Sequence, residues 1–348
     1  MRLLAIETSC DETAAAVMAE DRLLSNVVAS QEIHQLYGGV VPELASRAHL
    51  RQIATVVGLA LERAGLAPRH LDAIAVTRGP GLIGSLLVGL NFAKGLALDL
   101  GVPLLGINHL EGHLVSNNVS PGGPQPPFLV LIVSGGHSIL ALVRGWGQYR
   151  ILGETQDDAA GEAFDKVARI LGLPYPGGPQ IEKLAATGNP HAIAFPIARL
   201  KDAPFDFSFS GLKTAVLYHV QKPGTVAGPQ PHHATADVAA SFQQALIGAL
   251  VGTTARALEQ FPVTAIALAG GVACNKALRA AMADMGRQHG VKVFYPPPTY
   301  CTDNAAMIAR AAMFYLTGGA PLPATVTDLT PDPSLKLTST MPASSHAA

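Results

Sequence analysis

Two short apolar runs around a polar turn open the chain, and the same plan returns further on. Leu3-Leu4-Ala5-Ile6 and Ala14-Ala15-Ala16-Val17-Met18 enclose Glu7-Thr8-Ser9-Cys10-Asp11-Glu12-Thr13, while residues 128–133 and 139–143 enclose Ser134-Gly135-Gly136-His137-Ser138. Continuous apolar runs of this length bounded by turn residues predict buried strands, and each pair predicts a hairpin. A second plan is also doubled. Ala73-Ile74-Ala75-Val76 leads through Arg78-Gly79-Pro80-Gly81 into a long apolar stretch, and Ala265-Ile266-Ala267-Leu268 leads through Gly270-Gly271 into a helical pattern over 275–285. Each reads as strand, glycine turn and helix, the geometry that brings backbone N–H groups and a helix N-terminus to an anion. A hairpin followed by strand–glycine–helix, twice over, predicts an α/β protein of two similar lobes rather than one continuous sheet.

The patterning sets expected limits. The first lobe is expected over 1–108 and the second over 109–302, with a helix around 303–330 packing back on the first lobe. Residues 121–127 form a Pro- and Gly-rich seam, and 222–233 read as a surface loop. The tail at 331–348 is rich in Ser, Thr, Pro and Ala and is expected to be disordered.

Composition narrows the class. A chain of 348 residues fits two domains. Apolar residues at 49% exclude disorder throughout, even though charged residues are only 14% against about 25% in ordinary domains. Lys and Arg number 24 against 25 Asp and Glu, which excludes a protein holding nucleic acid by its bulk field. Only a local patch remains for that role, with Arg47, Arg51 and Arg78 as candidates. The stretch at 81–98 is broken by Asn91, Lys94 and four glycines, so it reads as a buried helix rather than a membrane span. Glu7 interrupts the N-terminus before any signal-peptide core. Cys10, Cys274 and Cys301 have no metal or disulfide spacing, which fits a reducing cytoplasm.

Chemistry concentrates in a few places. In His109-Leu110-Glu111-Gly112-His113 the two imidazoles lie at i and i+4, one helix face, where they can share a metal ion. Zinc peptidases use the same His spacing but carry their Glu at i+1. Here Glu111 is at i+2, about 200° round the helix from His109, so it points away from any shared metal. Asp303 either caps the helix that follows it or completes a two-His, one-carboxylate set suited to Fe(II) or Zn. Ser134-Gly135-Gly136-His137 is either a tight hairpin turn or a nest of N–H groups for phosphate or carboxylate. Asn275 caps a helix or bonds a ligand. Glu162, Asp165 and Glu182 line a solvated face or accept from ribose hydroxyls. Residues 207–214 read as core packing beside a turn.

Taken together these segments resemble the bacterial TsaD family of tRNA threonylcarbamoyladenosine transferases, once called glycoproteases. The resemblance runs from Ile6-Glu7-Thr8-Ser9-Cys10-Asp11-Glu12-Thr13 through Gly39-Val40-Val41-Pro42-Glu43, Gly79-Pro80-Gly81, His109 to His113, Val133 to His137 and Gly161-Glu162-Ala163-Phe164-Asp165-Lys166 to Thr302-Asp303-Asn304. It implies an actin-like, sugar-kinase-like fold of two duplicated ribonuclease-H-like lobes with a cleft between them. It implies transfer of a threonylcarbamoyl group from threonylcarbamoyl-adenylate to the exocyclic amine of the adenosine beside the anticodon in tRNAs reading ANN codons. Carried over by motif, the metal ligands fall on His109, His113 and Asp303, with iron the usual assignment and zinc compatible. The adenylate contacts fall on Ile132, Val133, Ser134, Gly135, Gly136, Asp165, Gly178, Glu182 and Asn275.

Asp11 is the acid that the resemblance brings to the transfer, and His137 is a second group able to handle the amine proton. The family works with TsaB and TsaE, with TsaC supplying the adenylate, and apolar surface on the helix over 84–97 is the expected TsaB contact. The turn Glu7-Thr8-Ser9-Cys10 departs from the D-x-G-x of actin-like kinases, which argues against phosphoryl transfer from Mg-ATP. Two readings compete with the transferase: a metallopeptidase built on the His109/His113 pair, and a non-catalytic nucleotide-binding scaffold. A near-neutral chain of this family is expected to bind tRNA weakly when alone.

Overall fold

The computed structural model describes residues 1–221, 234–318, 326 and 328–338. The surface loop expected at 222–233 therefore lies outside the described residues, as does the tail beyond 338.

The opening pattern folds into β1 (Arg2–Glu7), β2 (Glu12–Ala19) and β3 (Arg22–Ser30), then α1 (Pro42–Ala64), β4 (Ala73–Gly79), α2 (Ile83–Leu100), β5 (Leu104–Asn108) and α3 (His109–Val115). The strands form one sheet in the order β3-β2-β1-β4-β5. β1 runs antiparallel to β2 and parallel to β4, which is parallel to β5. Leu3, Leu4, Ala5 and Ile6 are all fully buried, because a central strand is covered on both faces and so reads as an unbroken apolar run. Alternation then sorts the two faces. Leu4, Ile6, Ile74 and Val76 share a core with Ile53, Val57 and Ala60 of α1 and Leu90 and Ala93 of α2. Leu3, Ala5 and Glu7, with Ala73, Ala75 and Thr77, therefore face the other way. That is how a glutamate and a threonine come to lie together at the end of an apolar sheet.

α1 starts on Pro42 and stops at Gly65, whose left-handed backbone lets Leu66 N donate back to Leu61 O. α2 departs from the buried helix expected there. It buries Ser85, Leu86, Gly89, Leu90, Ala93 and Ala97 along one face, while Ile83, Leu87 and Leu98 stand 42–61% exposed on the other. Its high apolar content reads as buried, but α1 and the sheet cover one face, and the exposed face also carries Asn91 and Asp99. By length and composition α2 and α7 (Thr235–Gln260) could each cross a membrane, although two-thirds of the α7 window is buried inside the protein.

The second half repeats the plan with β6 (Phe128–Val133), β7 (Ser138–Gly145), β8 (Gln148–Glu154), α4 (Ala160–Ile170), α5 (Gly177–Ala185), α6 (Ser210–Gln221), α7, β9 (Ala265–Ala269), α8 (Lys276–His289) and β10 (Lys292–Phe294), before α9 (Ala305–Gly318). Its sheet runs β10-β9-β6-β7-β8, with β9 parallel to β6 and to β10. Numbered from its own first strand, each sheet has the order 3-2-1-4-5. The duplication read from the sequence is therefore a duplication of topology.

The chain folds as two units: Met1–Pro126, Val143–Arg150 and Pro296–Ala348, and Pro127–Leu142 with Ile151–Tyr295. These limits differ from the expected division at 108 and 302. α3 packs against α9, and α9 lies along β1 and β2, so the chain through 126 stays with the first unit. The tip of the β7–β8 hairpin joins it too, with Trp146 stacked on Phe314 at 3.9 Å. The expectation of disorder is also corrected over 331–338, the part of that tail among the described residues. Leu329 and Leu337 are each 6% exposed, Asp332 N donates to Arg78 O at 2.8 Å, and Gly81 N donates to Pro333 O at 3.2 Å. Backbone hydrogen bonds and two buried leucines hold a segment whose composition reads as a tail.

Candidate metal centre and glycine-loop site

β5 ends at Asn108, whose side-chain oxygen accepts from Leu110 N at 2.8 Å and caps α3. His109 is thus the first residue of a buried helix, and His113 follows one turn later on the same face. The rings meet edge to face with centroids 4.8 Å apart. Gly112 lets this short helix sit close against α9, since a Cβ there would fall 2.8 Å from Ile308 Cδ1. Asp303 arrives from the turn before α9. Its Oδ1 lies 3.4 Å from His109 Nε2 and 3.2 Å from His113 Nε2. The two roles left open for Asp303 are resolved by its neighbour: Asn304 Oδ1 accepts from Met307 N at 3.0 Å and caps α9. Asp303 is free of that duty and faces the imidazoles. One ligand atom from each of the three residues falls within 4.8 Å of the others.

A second layer fixes the first. Glu7 Oε2 accepts from His109 Nδ1 at 3.0 Å and from the Thr77 hydroxyl at 2.6 Å, while Glu7 Oε1 accepts from Ser9 N. Ser9 Oγ lies 3.1 Å from the same His109 nitrogen. A carboxylate behind the ring holds the proton on Nδ1 and aims Nε2 toward Asp303, the arrangement typical of metal-ligating histidines. Burial disfavours charge on all these groups. It is overcome by mutual attraction, so Asp303 and Glu7 are held below the usual carboxylate range and His109 well above the usual imidazole value. Glu12 shows the cost of crowding acids here: burial first, then Asp303, Asp11 and Glu7, push it up to about 9.

The site fits a cation on two further counts. His113 is fully buried; its Nδ1 has no hydrogen-bond partner, and its Nε2 faces only the Asp303 carboxylate at 3.2 Å, outside hydrogen-bond geometry. An orphaned buried polar group costs about 1–3 kcal/mol, which a ligand bond at Nε2 would remove. The donor set of two imidazoles and a carboxylate suits Fe(II) or Zn(II). Glu111 takes no part. It is buried on the far side of α3, accepts from the hydroxyls of Tyr149 at 2.7 Å and of Tyr315, and is pushed up to about 7 by burial. A metallopeptidase would need that carboxylate beside the metal, and the structure puts it elsewhere.

In the second unit the turn after β6 is closed by Ser134 N donating to His137 O at 2.8 Å and His137 N donating to Ser134 Oγ at 3.1 Å. Gly135 and Gly136 are exposed, and neither takes the positive φ that the nest reading allowed. That conformation belongs to Gly270, with φ 86°, where a Cβ would fall 2.4 Å from Val133 O. Ile132 and Val133 are fully buried, and Ile132 is paired with Ala269 in the sheet, so their side chains belong to the core. Asp165 accepts from Gly177 N at 2.7 Å, at the start of α5 where Gly178 follows, and burial raises its pKa. Glu182 accepts from Lys276 N at 2.7 Å, at the start of α8. Asn275 caps α8 through Leu278 N and donates to Gln243 Oε1 at 2.8 Å. Glu162 pairs with Lys166 at 2.8 Å.

Asp11 and His137 fall in different units, each half-buried on its turn. Of the basic residues nominated for RNA, Arg47 is paired with Glu43 at 2.6 Å, Arg51 is exposed, and Arg78 is half-buried with an unpartnered Nε. Sequence reasoning missed Glu7, Thr77 and Glu12 as parts of the centre. The one available signal was a carboxylate closing an otherwise apolar strand.

Comparison with known proteins now has geometry to meet. The family model described as TsaD, tRNA N6-adenosine threonylcarbamoyltransferase, matches residues 22–310. A protein of that name from Anaeromyxobacter dehalogenans strain 2CP-C is 54% identical over 339 residues, spanning 97% of this chain and 99% of its own. Another from Clostridium perfringens strain 13 is 52% identical, spanning 91% of this chain and 93% of its own. Among solved structures, T. kodakarensis HypF matches 91% of this chain and 48% of its own with a TM-score of 0.61 at 16% identity. Component A of the Acidaminococcus fermentans (R)-2-hydroxyglutaryl-CoA dehydratase matches 90% and 99% with a TM-score of 0.52 at 15% identity. Those two likenesses carry the fold, the actin-like pair of duplicated lobes. Family match and near-full-length identity carry the rest: the chain belongs to the TsaD family of tRNA N6-adenosine threonylcarbamoyltransferases.

Proposed function

We propose that the chain moves the threonylcarbamoyl group of threonylcarbamoyl-adenylate onto the exocyclic amine of the adenosine beside the anticodon in tRNAs reading ANN codons, with release of AMP. The observation that carries this reading is the buried set His109, His113 and Asp303 with Glu7 behind it. Those three residues would hold one divalent cation, with iron favoured by the family resemblance and zinc compatible with the same donors. Such an ion supplies Lewis acidity and a positive charge for an anionic donor.

The chain's own groups do the rest. Glu7 and Ser9 keep the His109 ring in one orientation. The exposed backbone at Gly135 and Gly136 is offered to the donor's phosphate, and Gly178 leaves room for its nucleoside. Asp165 and Glu182 each accept from backbone N–H groups at a helix start and keep further acceptor capacity for ribose hydroxyls. Ile132, Val133, Ser134 and Asn275 shape that site from the core side. In the transfer, the amine nitrogen bonds the carbamoyl carbon, the bond from that carbon to the phosphate oxygen breaks, and AMP leaves with the electron pair. The amine proton goes to a base, for which Asp11 and His137 are the candidates. Holding a weak aryl amine against the activated carbonyl contributes more than either base alone.

TsaB and TsaE are the proposed protein partners, with TsaC supplying the adenylate. A tRNA substrate and three cysteines that form no disulfide among the described residues favour the cytoplasm as the place of action. The deciding experiment incubates the purified chain and these partners with tRNA and preformed threonylcarbamoyl-adenylate, then reads nucleosides by mass spectrometry. Modified adenosine that disappears in His113→Ala is the expected result, and its absence with the wild-type chain overturns the reading. Anaerobic elemental analysis of the same preparation identifies the metal.

A further inference from the structure

The segment that composition marks as a tail is woven into the strand ends that carry the metal centre. Its backbone follows the ends of β4 and β5, where Gly79 and Asn108 are paired. Asp332 N donates to Arg78 O at 2.8 Å, and Pro333 O accepts from Gly81 N at 3.2 Å. Asp332 O sits so close to Gly79 that a Cβ there would fall 1.8 Å from it. The segment is set internally, with Leu335 N donating to Asp332 O and Ser334 N to the Asp332 carboxylate at 3.0 Å. Leu329 and Leu337 bury its two ends.

Asn108 joins this segment to the metal helix. Its Nδ2 donates to Lys336 O at 3.0 Å while its Oδ1 accepts from Leu110 N at 2.8 Å. One amide plane therefore serves both contacts, and its rotation would move both. His109 is the next residue along the chain, and β4 also carries Thr77, the hydroxyl donor to Glu7. From this juxtaposition we infer that residues 329–337 form a strap that positions the metal centre, with Asn108 as the positioning residue that couples the two. The strap orients the Asn108 amide, the amide caps α3, and the cap aims His109 and His113 at Asp303. Linkage makes the coupling reciprocal: if the strap tightens metal binding by a factor, metal binding tightens the strap by the same factor.

The inference rests on the His109, His113 and Asp303 set being a metal site, so the test separates the two. The probe is Co2+, bound to the full-length chain and followed by its visible spectrum and by its release to a chelator. Asn108→Ser keeps a cap acceptor but cannot reach Lys336 O, and Leu337→Asp dislodges the far end of the strap. Loss of one hydrogen bond corresponds to about a three- to tenfold weaker site. Both variants are expected to release Co2+ at least threefold faster, with a shifted spectrum. In the wild-type chain, Co2+ is expected to slow amide hydrogen exchange across 329–338 by a similar factor. If wild-type binds no Co2+, the metal reading itself falls. If wild-type binds but Asn108→Ser matches it in release rate and spectrum, or exchange across the strap ignores Co2+, the strap is packing alone and the inference is overturned. The Asn108→Ser and exchange measurements decide the matter even if Leu337→Asp does not fold.

Discussion

Replacing Glu7 by Gln changes one atom and inverts the logic of the centre. Glu7 is fully buried and accepts three hydrogen bonds, from Ser9 N, the Thr77 hydroxyl and His109 Nδ1. A glutamine must turn its oxygen toward the Ser9 amide, which is a fixed donor. Its NH2 then faces Thr77 and His109. The threonine hydroxyl rotates and accepts. The imidazole can answer only by accepting at Nδ1, which leaves its one proton on Nε2, the nitrogen 3.4 Å from Asp303. Ser9 Oγ, 3.1 Å from Nδ1, stabilises the same tautomer by donating. A histidine that presents an N–H to the metal position cannot ligate until the tautomer is reversed against a donor–donor contact. Hydrogen bonds to charged groups contribute about 1.5–3 kcal/mol, and second-layer changes of this kind cost about 10–100-fold in metal affinity. Glu7→Gln is therefore expected to weaken Co2+ or Zn2+ binding about 10–100-fold in a competition titration with a chelator. Affinity within twofold of wild-type, in a protein whose His113→Ala variant has lost the metal, would refute the carboxylate–histidine account.

Three further outcomes follow from the same structure. Gly112→Ala gains up to about 1 kcal/mol of helix propensity but drives a Cβ into the fully buried Ile308 and Met307, at 2.8 and 3.0 Å. Overpacking at about 1–3 kcal/mol wins, so the urea midpoint should fall, and a rise would show that α9 yields at no cost. Burial lowers the pKa of His49, which hydrogen-bonds the Thr13 hydroxyl at 2.8 Å and the Cys10 carbonyl at 2.9 Å. The folded state then binds fewer protons than the unfolded chain, so this contribution is whole above about pH 6.5 and fades as pH falls. The stability gap between wild-type and His49→Gln should accordingly narrow from pH 7.5 to 5.5, and a constant gap would exclude His49 as a source of the pH dependence. With a net charge of −1 and Arg47 already paired, the chain alone should bind tRNA no better than about 10⁻⁴–10⁻⁶ M at physiological salt, as measured by filter binding. Nanomolar binding without partners would contradict that.

The periodicity of the chain carried the fold a long way. Apolar runs such as 3–6 and 128–133 are strands because both faces of a central strand are covered, and the repeated glycine turns mark where a strand hands over to a helix. The i, i+4 spacing of His109 and His113 is local and survives intact in α3. What periodicity could not weigh was cover. α2 carries apolar residues on its outer face as well as its inner one, yet Ile83, Leu87 and Leu98 are exposed, because apolarity alone does not say whether a neighbour is present. The Pro- and Gly-rich seam at 121–127 does coincide with a limit, since the first segment of unit one closes at Pro126, whereas the expected division at 108 does not.

The site residues that escaped sequence reading share one property: each gains its role from a partner far away along the chain. Glu7 and Thr77 are 70 residues apart and meet because β1 and β4 are parallel neighbours with odd positions on one face. Asp303 could not be told from a helix cap because Asp and Asn cap equally well. The adjacent Asn304 takes the cap and leaves the charged member of the pair to the imidazoles. Asn108 and Lys336 stand 228 residues apart, joined across a segment whose Ser, Thr, Pro and Ala content gives no hint of order. In each case a short-range rule names the residue and a long-range contact decides between two legitimate uses of it. The candidate metal centre is accordingly the part of this chain where local pattern decides least, because its three candidate ligands and the carboxylate behind them come from three separate places in the sequence, at residue 7, at 109–113 and at 303, and long-range packing brings them within a few ångströms.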